Sequence, residues 1–141
     1  MLAQEAARTH KHDSIDTEHL LLGLLGEPRG LAYELLVAKT EPEQRVRNAI
    51  EEAMPRAGKK ALRGHIAFRP EGKEAIAQAR RASDDLGHDW VGTEHSLLGL
   101  IRTKESPAAQ ILRDDLGFTA DELHEMVRTE ITQRSAAGDR Q

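Results

Sequence analysis

The sequence predicts an all-α fold made of two copies of one four-helix repeat. First, no alternating strand pattern of useful length appears along the 141 residues. Second, aromatic residues make up only 3% of the chain, so the core must be built from leucine, isoleucine, valine and alanine, a composition that favours packed helices. Third, residues 12–25 recur as residues 88–101, at a constant offset and without a gap. A duplicated helical unit explains all three observations.

The composition excludes several classes of function. The sequence has no cysteine, which rules out disulfides, thiolate zinc sites, iron–sulfur clusters and cysteine nucleophiles. A net charge of −4 provides no electrostatic attraction to nucleic acid or anionic membranes. The longest apolar run, Leu20 to Leu25, is far shorter than the ~20 residues of a membrane-spanning helix, and no leader pattern opens the chain. We therefore expect a cytoplasmic protein.

The first two helices of each repeat are predicted from their starting residues. The first helix runs from the start of the chain to about Lys11, and its counterpart runs from Pro70 to Leu86. Proline suits the first helical position, because its missing N–H would have no partner there. The second helices begin at Thr17 and Thr93, whose hydroxyls are expected to cap the free N–H groups that follow.

Each second helix also contains a glycine, Gly23 in one copy and Gly99 in the other. Glycine costs about 1 kcal/mol relative to alanine inside a helix. A close crossing of two helices is the expected reason for both.

The third and fourth helices complete each repeat. The third helices follow Pro28 and the pair Ser106–Pro107, which reads as a cap followed by a proline in the first turn. The fourth helices are predicted over residues 43–54 and 120–134. Thr119 and Glu122 have the spacing of a capping box before the second of these.

These elements divide the chain into a domain and a tail. The predicted domain covers residues 1–134, with repeat one at 1–54, an exposed basic connector at 55–64 and repeat two at 65–134. Residues 135–141 are predicted to form a polar tail.

Two motifs carry a family resemblance. A Thr-Glu-His-x-Leu-Leu-Gly-Leu motif occurs at residues 17–24 and again at 93–100, and Gly-His-Ile-x-Phe-x-Pro occurs at 64–70. Together they resemble the N-terminal domain of Clp unfoldases, most closely the ClpC type, over about residues 2–134. The resemblance implies a pseudo-twofold bundle of eight helices. It also implies a domain that docks adaptors and substrates for an ATPase ring and has no catalytic activity or cofactor of its own.

The chain departs from the family pattern in two respects. Met1 corresponds to a position already inside the family's first helix, so the preceding flank, with its threonine and aromatic residue, is absent. No Gly-x-x-x-x-Gly-Lys-Ser/Thr loop of an ATPase occurs. Both an excised domain and a stand-alone Clp-repeat protein fit this pattern.

Glu18 and Glu94 lie in the first turns of the second helices, where a carboxylate interacts favourably with the helix dipole. The resemblance implies a functional alternative, because the matching glutamates of some ClpC domains hold the guanidinium of phosphorylated arginine. Their threonine partners are missing here, and Arg69 stands at one of those positions. Arg69 is expected either to bind the phosphate or to pair with Glu94 and exclude a cationic ligand. Phosphoarginine binding is therefore predicted to be weak.

Histidines flank both motifs, with His12 and His19 in one repeat and His88 and His95 in the other. Imidazole is a common zinc ligand, which raises the alternative of a metal-dependent hydrolase. No His-Glu-x-x-His spacing is present, however, so we expect histidines that fix the start of each helix, and no metal.

A third set of residues comprises Gln4, His65, Phe68 and Lys73. The resemblance implies that they line a groove between the first and fifth helices, where cyclic peptide antibiotics bind actinobacterial ClpC. Phe68 would be an exposed apolar platform and the other three a polar rim, although Phe68 could equally belong to the core.

The sequence thus predicts a non-catalytic module that binds Clp adaptors, substrates or unfoldase subunits. The alternative is a stand-alone decoy that sequesters cyclic peptide antibiotics or marked substrates.

Overall fold

A computed structural model describes residues 2–9, 14–40, 43–54 and 68–138. Within these ranges the chain forms eight α-helices. They are α1 (Leu2–Thr9), α2 (Thr17–Leu25), α3 (Leu31–Thr40), α4 (Glu43–Ala53), α5 (Pro70–Asp85), α6 (Thr93–Arg102), α7 (Pro107–Gln110) and α8 (Ala120–Gly138). The described residues contain no strand, and the all-α duplicated fold is confirmed.

One hydrophobic core joins the two repeats. The second helix of each repeat is central, since α2 contacts α1, α3, α4 and α5, while α6 contacts α3, α5, α7 and α8. The two central helices also contact each other. Leu21 and Leu25 of α2 and Leu97 and Leu98 of α6 are all fully buried in this shared core. Neither repeat therefore buries its apolar surface alone.

The two threonines of the repeated motif cap helices in the opposite repeat. The Thr17 Oγ1 accepts a hydrogen bond from the Ala108 N–H (3.1 Å), at the start of α7, and the Thr93 Oγ1 accepts one from the Ala32 N–H (3.3 Å), at the start of α3. The prediction that each threonine caps its own helix is wrong, because both lie at the first helical position rather than before it. The exchange follows the pseudo-twofold relation of the repeats and ties them together.

Other predicted helix signals are confirmed. The Ser106 Oγ accepts from the Ala109 N–H (3.1 Å) at the start of α7, and the Thr119 Oγ1 accepts from the Glu122 N–H (3.0 Å) at the start of α8. A Cβ atom on Gly99 would lie 2.4 Å from the backbone oxygen of Ala75, in α5. The helices α5 and α6 therefore cross closely at Gly99, as the presence of glycine in α6 predicts.

The structure differs from the prediction at the ends of two helices. Residues Ile111–Asp115 continue α7 as a π-helix, in which the Leu116 N–H bonds the Ile111 carbonyl (3.0 Å), five residues back. Helix α8 extends to Gly138, into the segment predicted as a polar tail. The predicted connector at 55–64 and the end of the predicted first helix lie outside the described residues.

Candidate functional site

An apolar groove of about 480 Å³ lies between the first two helices of both repeats. It is lined by Ala3 and Glu5 of α1, Leu20, Gly23 and Leu24 of α2, Glu27 beyond it, Ala75, Ile76, Ala79 and Arg80 of α5, Val91, and Ser96 and Leu100 of α6. The lining is mainly aliphatic, and its charged groups are the carboxylates of Glu5 and Glu27 and the guanidinium of Arg80. This arrangement suits an apolar guest that carries polar groups at its edges.

Exposed apolar side chains mark the same region. Ile76 and Val91 are each 49% exposed and line the groove, and Trp90, the neighbour of Val91, is 46% exposed. Among the described residues these are the exposed large hydrophobic side chains. Concentrated exposure of this kind, next to a concave apolar surface, is typical of a protein interaction site.

Phe68 lies beside the groove rather than in its lining. It is partly buried and packs against a small cluster formed by Ala3, Ala7 and Ile15, and its backbone forms an isolated parallel bridge with Ile15. The expectation of an exposed aromatic platform is therefore wrong, because Phe68 closes part of the core under α1.

The other three residues of that predicted set lie outside the lining of the apolar groove or outside the described residues. Lys73 is exposed on α5, Gln4 is partly buried on α1, and His65 lies outside the described residues. Neither Lys73 nor Gln4 belongs to the lining of the apolar groove.

Glu18 is a buried carboxyl group with an unsatisfied oxygen. Its side chain is 2% exposed, and its Oε1 has no hydrogen-bond partner among the described residues. Burial, reinforced by the nearby Asp16 carboxylate, raises its pKa to about 7, and the positive charge of Arg69 opposes this effect. Glu18 therefore exchanges a proton near neutral pH.

Arg69 comes from the second repeat but lies next to Glu18 of the first. Its Nε is 3.5 Å from the Asp16 Oδ2 and 3.8 Å from the Glu71 Oε2, and its N–H donates to the Ile15 carbonyl (2.8 Å). The structure thus brings Glu18 and Arg69 together.

Glu94 has different neighbours. Its side chain folds back over Gly92, and its Oε1 lies 4.0 Å from the His95 Nδ1. The expected pairing of Arg69 with Glu94 is absent from the described residues, since Arg69 forms its ion pairs with Asp16 and Glu71.

The motif histidines fix the starts of the two central helices. The His19 Nδ1 accepts the Asp16 N–H (2.9 Å) and completes a capping box at the start of α2. The His95 Nδ1 accepts the Gly92 N–H (2.8 Å) at the start of α6, where glycine has no side chain to form the other half of such a box. The structural role predicted for His19 and His95 is confirmed. In the part of the chain that the structure describes, no group of three potential ligands is arranged to hold a metal ion.

Two features of the site were not predicted from the sequence. The first is the apolar groove itself. Ile76 occupies an ordinary position of a helix, so nothing in the sequence indicates that its side chain is exposed in a groove. The second is a contact between His88, Trp90 and His95. The repeated spacing of the two histidines is the available signal for this contact, but it predicts a role at the helix start or a metal set and gives no sign of stacking with Trp90.

Among the described helices, none combines the length and the apolar character that a membrane span requires.

Comparison with solved structures supports the fold. The chain superimposes with a TM-score of 0.66 on the N-terminal domain of the chaperone ClpD from Arabidopsis thaliana, at 21% identity, covering 93% of this chain and 88% of that one. A chain from a malarial protein secretion system gives a TM-score of 0.74 at 19% identity, with 92% and 86% covered. At these identities the likeness concerns the fold alone.

Sequence comparison is more specific. The chain is 40% identical over 118 residues to the ClpC ATP-binding subunit of the Clp protease from Staphylococcus epidermidis, which covers 83% of this chain and 14% of that protein. It is 35% identical over 140 residues to ClpC/MecB of Bacillus subtilis, covering 97% of this chain and 17% of that protein. The chain thus spans less than a fifth of these relatives. The family described as "Clp repeat (R) N-terminal domain" matches residues 1–115. With the duplicated motif and the eight-helix fold, these matches establish that the chain belongs to the Clp repeat N-terminal domain family.

Proposed function

We propose that this chain is a cytoplasmic docking domain without catalytic activity, which receives an apolar segment of a protein substrate or adaptor in the apolar groove. The observation that carries the proposal is the pair of half-exposed side chains, Ile76 and Val91, in an otherwise concave aliphatic surface. Membership of the Clp repeat N-terminal domain family supports the same function.

The exposed apolar surface of the groove can contribute to the free energy of binding when a ligand covers it. Covering apolar surface contributes roughly 25 cal/mol per Å², so full burial of one half-exposed isoleucine adds on the order of 1 kcal/mol. The charged residues Glu5, Glu27 and Arg80 in the lining leave hydrogen-bonding positions for the backbone of an extended guest. Affinity is then expected to come from the aliphatic floor and orientation from the charged groups.

The test is titration of a fluorescently labelled unfolded protein, reduced and carboxymethylated α-lactalbumin, followed by anisotropy. We expect Ile76→Ser to weaken binding by about tenfold, because an apolar contact worth about 1.4 kcal/mol is lost. The matched control is Ala77→Ser, an exposed position on the same helix that does not line the groove. Equal affinities for the two variants and the unmodified chain would contradict docking in the groove.

We propose a second, weaker ligand, phosphorylated arginine, at Glu18 and Arg69. The unpartnered Glu18 Oε1 is an acceptor for a guanidinium group, and the 55% exposed Arg69 side chain presents a donor for a phosphate. Arg69 takes the place of the threonine that the family resemblance implies, so the phosphate would be held by charge rather than by a hydroxyl.

Calorimetric titration with phosphoarginine at about pH 6 and pH 8 tests this ligand. A guanidinium requires the ionised carboxylate, and with a pKa of about 7 the ionised fraction of Glu18 rises from about one-tenth to about nine-tenths over this range. We therefore expect affinity to increase by roughly tenfold, and Glu18→Gln to abolish the increase. An increase that survives in Glu18→Gln would show that the ligand binds elsewhere.

Binding of a cyclic peptide at Gln4, His65, Phe68 and Lys73 is a further proposal, with His65 outside the described residues. A stand-alone decoy would act either through this ligand or by sequestering marked substrates. Phe68 is only partly buried, and Lys73 is exposed on α5. Phe68 packs partly against Ala3 and Ala7, whereas the apolar groove presents the half-exposed Ile76 and Val91, and we therefore assign protein docking to the groove.

A further inference from the structure

Three aromatic rings form a cluster in the second repeat that the docking proposal does not use. The His88 Nδ1 lies 2.8 Å from the His95 Nε2. Trp90 stacks on His88 with 4.1 Å between ring centroids and an interplanar angle of 19°, and it meets His95 edge-on at 5.5 Å. His95 is fully buried, whereas Trp90 is 46% exposed. The cluster therefore connects a buried ring to the protein surface.

The hydrogen bonds determine where the protons of the two histidines lie. The His95 Nδ1 accepts the Gly92 N–H (2.8 Å), so in the neutral ring its hydrogen is on Nε2. That Nε2–H points at the His88 Nδ1, which must accept it. Neutral His88 then carries its own hydrogen on Nε2. The chain of donors runs from Gly92 through His95 to His88.

No ring nitrogen in this series of hydrogen bonds is free to accept an additional proton. Protonation of His88 at Nδ1 sets two N–H groups against each other, and protonation of His95 at Nδ1 displaces the Gly92 N–H. Each ring can therefore become charged only by breaking a hydrogen bond. The bond at risk in His95 is also the one that caps the start of α6.

The surrounding charges do not compensate for this cost. The Glu94 carboxylate, 4.0 Å from the His95 Nδ1, favours the charged ring, but burial and the neighbouring His88 outweigh it and lower the pKa of His95 below its usual 6.5. From α5, the neutral Ser83 hydroxyl contacts the backbone carbonyls of His88 and Trp90. The buried His95 ring is thus neutral at neutral pH.

The cluster holds the loop that precedes α6. The Ser83 hydroxyl donates to the carbonyl oxygens of His88 (3.3 Å) and Trp90, and the His88 N–H donates to the Ser83 carbonyl (2.9 Å). Val91, the next residue, lines the apolar groove. A displacement of Trp90 would therefore move one wall of the groove.

We propose that the His88–His95 pair is an acid-sensitive latch, which holds the Trp90–Val91 loop against the domain at neutral pH and releases it when the pair takes up a proton. The latch rests on the contacts within the second repeat and not on the occupant of the groove, so it stands or falls independently of the docking proposal.

Trp90 is the single tryptophan of the sequence and reports on the latch directly. Acrylamide quenching of its fluorescence is measured from about pH 8 to pH 5, with far-UV circular dichroism on the same samples. We expect quenching to increase below pH 6.5 while the helical signal is unchanged. An accessibility that stays constant, or one that changes only together with the helical signal, would overturn the latch.

Two variants identify the groups involved. His88→Gln keeps an acceptor for the His95 N–H but cannot take up a proton, and it should lose the transition. His124→Gln, which removes a partly buried histidine of α8 that contacts Arg102, should keep it. A transition at the same midpoint in His88→Gln would overturn the proposal.

Nitrogen-15 NMR of the unmodified chain provides a test that does not depend on a variant folding. The latch requires the hydrogen on Nε2 of both His88 and His95 at neutral pH. A hydrogen on the Nδ1 of either ring would overturn it.

Discussion

Gly99→Leu should lower the free energy of unfolding by about 3 kcal/mol or more, a large fraction of the stability of a domain of this size. Even a Cβ atom at residue 99 would lie 2.4 Å from the Ala75 carbonyl oxygen and 2.6 Å from the Ala79 amide nitrogen. Both atoms belong to the backbone of α5, so no side-chain rotation relieves the overlap. The helices must separate, and because α6 also contacts α3, α7 and α8, the separation disturbs the whole core.

Urea unfolding followed by circular dichroism measures this effect. Ser96→Leu is the matched control, since it introduces the same side chain into the same helix at a residue that lines the open groove. If Gly99→Leu does not fold, Gly99→Ala supplies a smaller version of the same overlap. A loss below about 1 kcal/mol in both Gly99 variants would show that the crossing has room for a side chain.

Glu18→Gln should stabilise the domain above neutral pH and leave it almost unchanged in mild acid. The folded-state pKa of Glu18 is about 7, raised from 4.5. A raised carboxyl pKa means that the folded chain binds the proton more tightly than the unfolded chain does, so the associated stability is fully present below pH 4.5 and is lost as the pH rises through 7. A shift of this size corresponds to at most about 3 kcal/mol.

Glutamine keeps the shape of the side chain and removes the charge that burial disfavours. The difference in unfolding free energy between Glu18→Gln and the unmodified chain, measured in urea from about pH 5 to pH 8, should therefore grow with pH and level off above 7. Subtracting the two profiles removes the contribution of every other titrating group. Glu94→Gln makes the same chemical change at the equivalent position of the second repeat. The same pH-dependent gain from both variants would contradict an effect of the Glu18 environment.

The sequence alone determined the architecture of this protein. The duplicated motif, the proline at residue 70, the caps at Ser106 and Thr119 and the glycine at residue 99 each express a local rule about helix starts, helix ends or helix contact. Such rules depend on neighbours in the chain, so they could be applied before any contact between helices was known. The same motif placed the chain in its family.

The tertiary structure decided which partners those residues take. Thr17 and Thr93 are helix-capping residues as predicted, but each caps a helix of the opposite repeat, because the pseudo-twofold packing brings a free helix start to each hydroxyl. Glu18 becomes a buried group with a pKa near neutrality, whereas Glu94, in the same motif, turns back toward Gly92 and His95. Burial and the positive charge of Arg69 come from residues distant in the chain, whereas Asp16 acts on Glu18 from two residues away. The shared Thr-Glu-His sequence therefore lies in two different sites, which differ in the residue that precedes it, Asp16 or Gly92, and in the packing of the helices around it.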